Sequence, residues 1–150
     1  MNPAPEALPD VLGKIRSNRP FMRELAELLE QAQSQADRSG ARCLGGGACC
    51  RFDLMEHRLY LTLAELALLT QPPLPDLSPV ARRRCPWQRG PRCLARSNRP
   101  LGCRSFFCRQ DPAIQSELYE HYLARMRELF RRHKVPYGYG ELFQLLGQFQ

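Results

Sequence analysis

Lysine is nearly missing: of 22 Lys and Arg residues only Lys14 and Lys134 are lysines. No stretch of the ~18 apolar residues needed to cross a membrane occurs, and the first twenty residues lack the apolar run of a signal peptide. A soluble, cytoplasmic protein with no membrane partner is therefore expected. There is no C-x2-C pair, which argues against a zinc ribbon. A serine-nucleophile motif, HExxH, a dinucleotide fingerprint and a C-x3-C-x2-C radical loop are also missing. The triple glycine Gly45 to Gly47 has no GKS or GKT after it, so it is not a phosphate loop. Between Asp76 and Asp111 there is no acid at all, while nine arginines fall there.

What the chain does have is cysteine, seven residues in 150. An odd count leaves one thiol over in any all-disulfide scheme, and a reducing compartment favours metal ligation. The cysteines form two groups. Cys43, Cys49 and Cys50 lie upstream, and Cys85, Cys93, Cys103 and Cys108 downstream. Folding must bring the groups together, because a strand and a helix separate them. Soft thiolates select zinc or an iron-sulfur cluster, possibilities that include a 4Fe-4S centre. Neighbouring side chains in an extended segment point to opposite sides, so Cys49 and Cys50 serve different metals, or one binds and the other packs.

The remaining pattern predicts a mainly α, small single domain whose amphipathic helices pack around an irregular cysteine-rich metal-binding core, with at most a short strand pair. Residues 1–19 carry Pro3, Pro5, Pro9 and Gly13 and read as a flexible lead-in, with the domain spanning 20–150. Phe21, Leu25, Leu28, Leu29, Ala32 and Ala36 recur at helical spacing, with Asn18 as N-cap and Gly40 as stop. Arg58 to Thr62 reads as a strand, and Thr62-Leu-Ala-Glu65 as a capping box opening a helix to about Thr70. The proline-rich run 71–79 reads as a surface loop. Asp111-Pro112 starts a long helix, with Ile114, Leu118, Tyr122, Met126, Leu129 and Phe130 along one face. Val135 to Gly140 breaks it, and a short helix closes the sequence.

The order of the double cysteine Cys49-Cys50, Leu61-Thr62-x-x-Glu65, Cys85-Pro-Trp, Cys93, Arg99-Pro100-Leu-x-Cys103-Arg104 and Cys108 resembles the YkgJ-type cysteine-cluster family of zinc- or iron-chelating proteins. The resemblance covers residues 43–108. It implies eight cysteines, one of them shortly before the double cysteine, where this chain has Gly45 to Gly47. If the family uses two four-thiolate sites, one site here keeps three thiols, and His57, water or substrate completes it. The family includes modules of flagellin lysine methylases in which the cluster holds an iron-sulfur centre.

All seven cysteines are thus candidate metal ligands. Arg51 and Arg104 directly follow ligands and read either as hydrogen-bond donors to sulfur or as solvated surface residues. Trp87, Phe106 and Phe107 read as groups that keep water from the centre. The expected function is binding of zinc or an iron-sulfur cluster, with a redox or protein partner. The arginine surplus reads first as compensation for thiolate charge. It also supports a zinc-stabilised nucleic-acid-binding module, the alternative from another class, beside an iron-sulfur redox or protein-modifying enzyme.

Overall fold

Pro9 and Pro20 both fall in the first turn of a helix, where a missing backbone N–H leaves no bond unmade. The computed structural model describes residues 4–40, 51–55, 57–105 and 111–149. Helix α1 (Leu8–Ser17) and helix α2 (Arg19–Arg38) meet at Asn18, whose side chain accepts the Phe21 N–H at 3.3 Å. The predicted apolar stripe of α2 is buried along its whole length, from Phe21 to Ala36, and Gly40 follows with φ of +83°.

Within the stretch read as a lead-in, Leu8–Ser17 is a helix packed on the core. Leu8, Leu12 and Ile15, at i, i+4 and i+7, are buried in the core, and α1 packs on α4 (Leu63–Leu69). Arg16 Nη1 ties the two helices by donating to Ala67 O at 3.0 Å. The turn-forming residues did not break the helix: Pro9 suits its first turn, and Gly13 sits on its exposed face. Leu12→Ala is therefore expected to cost about 2 kcal/mol. That is the low end for a buried leucine, because a terminal helix can settle into the space left behind. A denaturant midpoint unchanged from the parent would show that α1 is not part of the core.

Helix α3 (Phe52–Met55) leads to strand β1 (Tyr60–Thr62). The capping box forms as predicted: Thr62 Oγ1 accepts the Glu65 N–H at 3.2 Å, and Glu65 Oε2 accepts the Thr62 N–H at 2.7 Å. β1 pairs antiparallel with β4 (Tyr139–Glu141), with Leu61 opposite Gly140. A second short antiparallel pair, β2 (Gln88–Arg89) and β3 (Arg92–Cys93), exceeds the single pair expected. The chain then forms α5 (Leu101–Ser105), α6 (Pro112–Arg132) and α7 (Leu142–Leu146).

Asp111 caps α6 through the Ala113 N–H at 2.9 Å, and α6 runs against α2. Phe21 meets Phe130 edge to face at 5.2 Å. Ile114, placed on the inward face from sequence, is exposed because the first turn of α6 overhangs the core; Leu123 is buried in addition to the expected residues. The fold is mainly helical around one hydrophobic core. Among the described residues no helix is long and apolar enough to cross a membrane.

Candidate metal centre

Cys85 and Cys93 flank the β2–β3 hairpin. The Cys85 carbonyl accepts the Gln88 N–H at 3.1 Å, and Gln88 pairs with Cys93 across the ladder. The connection between the strands is tightened by Gly90 at φ of +58°, a left-handed conformation that glycine adopts without a Cβ clash. Below the hairpin Trp87 is buried, and its carbonyl accepts the Leu94 N–H at 2.8 Å. Gly90 and the seating of Trp87 therefore shape this segment into a turn that presents two thiols.

Cys103 arrives on α5, and two buried ionisable groups set the position of that helix. The first is Glu65. Besides closing its own capping box, it accepts the Leu101 N–H through Oε1 at 2.8 Å, so one carboxylate joins the start of α4 to the start of α5. Burial pushes its pKa upward, against hydrogen bonds from Thr62 and Leu101 that pull it down. The second is Arg104, 2% exposed. Its Nε donates to Arg99 O and its Nη2 to Ser97 O, both at 2.8 Å, and its Nη1 reaches Glu30 Oε1 at 3.3 Å. Burial lowers its pKa while Glu30 raises it.

Arg104 is thus neither a solvated surface residue nor, among the described residues, a donor to sulfur. It fastens the 96–99 turn to α2. Arg51 forms a two-pronged pair with Asp53, both bonds at 3.0 Å, and so also spends its donors on a carboxylate. The Arg99-Pro100 turn does carry α5: Pro100 O accepts the Cys103 N–H at 3.1 Å. Two downstream arginines lie near acids, Arg83 at 3.8 Å from Glu141 and Arg84 at 4.0 Å from Asp53.

Cys85, Cys93 and Cys103 all line one cavity of about 470 Å³. His57 and Trp87 share its wall, with the His57 ring 4.4 Å from that of Phe52. Trp87 thus stands where the sequence put a water-excluding group. His133 lies elsewhere, in a pair with Glu24 at 3.1 Å, and His121 is exposed on α6 beside Tyr122. The donor set of thiols and an imidazole has the softness that zinc or iron requires. Among the described residues, however, no three His, Cys, Asp or Glu side chains gather closely enough to hold an ion by themselves. The other predicted ligands, Cys43, Cys49, Cys50 and Cys108, lie outside the described residues, as do Phe106 and Phe107.

Sequence reasoning missed the second partner of Glu65 and the burial of Arg104. The only available signal was that Leu101 and Arg104, at i and i+3, share a face of a short helix. No family model, curated protein or solved structure matches this chain.

Proposed function

We propose that the chain is a YkgJ-type cysteine-cluster protein that binds zinc or an iron-sulfur cluster in a reducing, cytoplasmic setting. The observation that supports this most is the meeting of three cysteines on one cavity wall from positions 85, 93 and 103. Cys50 and Cys108 are only two and three residues along the chain from Phe52 and Ser105, which line the same cavity. In this reading the downstream thiols supply part of the coordination sphere and the upstream group completes it. Buried Trp87 limits water at the sulfurs, which strengthens thiolate ligation and sets the potential of an iron centre. His57 is the residue to replace the missing eighth cysteine.

The test is metal and acid-labile sulfide analysis of protein purified without oxygen, on the parent and on a Cys85→Ser, Cys93→Ser, Cys103→Ser triple variant. The parent is expected to carry stoichiometric zinc, or iron with sulfide, and the variant to lose most of it. Chelation should also lower the melting temperature, because binding energy at such a centre is folding energy. A parent that takes up neither metal, and melts the same with and without chelator, would end this reading. Zinc would favour a structural centre; iron with sulfide would favour electron transfer or modifying chemistry.

A further inference from the structure

Three tyrosines stand in a row on the surface where β1 meets β4. The Tyr60 and Tyr139 rings are 5.8 Å apart and 12° from parallel, and Tyr137 follows Tyr139 at 6.5 Å and 8°. Each is 44% or 45% exposed, whereas Tyr122, Trp87 and Phe130 are buried; these three rings therefore contribute little to the core. They are held in place from behind. The Tyr139 hydroxyl meets that of Tyr119 at 2.8 Å, and the Arg127 guanidinium lies over Tyr137 at 5.8 Å. Burial, then the bond to Tyr139, raise the Tyr119 pKa, so this contact stays protonated at ordinary pH.

The row borders the cavity, since Tyr60 and Tyr139 form part of its wall. Arg58, Arg96 and Arg99 form other parts, against Glu120 as the one acid among the described lining residues. Arg58 and Arg96 are exposed and have no carboxylate within salt-bridge distance among the described residues. Cationic side chains thus face the same space as a fixed ladder of aromatic rings. A peptide rich in acids would use the arginines but not the rings, and a neutral sugar the rings but not the arginines. An unpaired polynucleotide strand uses both, because its phosphates need cations and every base has a face to stack.

We propose that this face binds single-stranded nucleic acid, with bases stacking on Tyr60, Tyr139 and Tyr137 and phosphates paired with Arg58 and Arg96. A duplex keeps its bases inside and gains only the charge contribution. None of the residues invoked is a thiol, although Arg58, Tyr60, Arg96 and Tyr139 line the same cavity as the three cysteines.

The test uses the full chain and labelled oligouridylate and oligothymidylate of about 12 nucleotides, followed by fluorescence anisotropy at roughly 50 to 300 mM salt. Both single strands are expected to bind about tenfold or more tightly than a duplex of equal length. Binding of one strand type alone still supports the proposal and identifies RNA or DNA as the ligand. Arg58→Ala with Arg96→Ala should flatten the slope of log K against log salt by about 1.4, near 0.7 for each phosphate left without its arginine. Tyr60→Ala or Tyr139→Ala should weaken binding about tenfold with the slope kept, and Tyr60→Phe should leave it unchanged. Ultraviolet cross-linking of the parent to oligouridylate, which needs no variant to fold, should map to Tyr60, Tyr137 or Tyr139. Absence of single-strand binding at low salt, equal affinity for duplex with no effect of the tyrosine changes, or cross-links confined to other parts of the chain would each overturn the proposal.

Discussion

Arg104→Ala is expected to lower the melting temperature by about 10 °C, corresponding to roughly 4 kcal/mol for a domain of this size. The reason is the loss of a buried side chain together with its part-buried hydrogen bonds. The guanidinium is 2% exposed and fills a space that alanine leaves open. Its removal takes the donor from the part-buried Ser97 and Arg99 carbonyls, each at the low end of about 1–3 kcal/mol because water reaches them, and takes away the packing of the long aliphatic stem. The ion pair with Glu30 contributes far less, since that carboxylate is 64% exposed and solvent replaces its partner. Arg104→Met separates the two causes by restoring most of the volume and none of the donors. It should remain well below the parent, and a melt within about 1 °C of the parent would show that the carbonyl bonds add nothing. Glu30→Gln should be nearly neutral. Because Arg104 fixes the turn that leads into Cys103, the alanine variant is also expected to hold metal less tightly, measured as occupancy after dialysis against a chelator.

Much of this fold was legible because local signals and tertiary needs agree. Asn18, the stripe from Phe21 to Ala36, the Thr62 to Glu65 capping box and Asp111-Pro112 each act within a few residues, and each produced the helix expected. Helix α1 was obscured because proline and glycine were counted as breakers, although a first-turn proline and an exposed glycine both fit a helix held by three buried apolar side chains. The β2–β3 hairpin was hidden for the opposite reason. Gln88, Arg89 and Arg92 have little strand preference, and the pairing follows from the Gly90 turn and the seating of Trp87. At the site, spacing revealed soft donors but could not say that positions 85, 93 and 103 share a wall, since convergence depends on where α5 docks. Charge was equally silent about depth: Arg51 and Arg104 both follow a cysteine, yet one pairs with a neighbouring aspartate and the other is buried.

Glu65→Gln is expected to destabilise the domain by on the order of 3 kcal/mol at mildly acidic pH, and by less as the pH rises. The carboxyl group faces donors on both sides, the Thr62 N–H on Oε2 and the Leu101 N–H on Oε1. A glutamine must turn its NH2 toward one of them, which leaves a buried backbone N–H without an acceptor in either orientation. A protonated glutamate has no such conflict, because an Oε2 proton can be donated to Thr62 Oγ1, 2.9 Å away, while both backbone bonds are kept. The sign of the pH dependence follows. Burial raises the folded pKa of Glu65 above its ordinary value, so the folded chain holds this proton more tightly than the unfolded chain. The contribution is complete below the unfolded pKa, near ~4.3, and is lost as pH rises through the raised folded value. Glutamine has no proton to lose, so melts of parent and variant between about pH 4 and 8 should converge toward the alkaline end. A gap that stays constant, or widens with pH, would mean that the folded state prefers the carboxylate, with the three hydrogen bonds outweighing burial. In that case the joint between α4 and α5 is an anion held by its donors rather than an acid held by its surroundings.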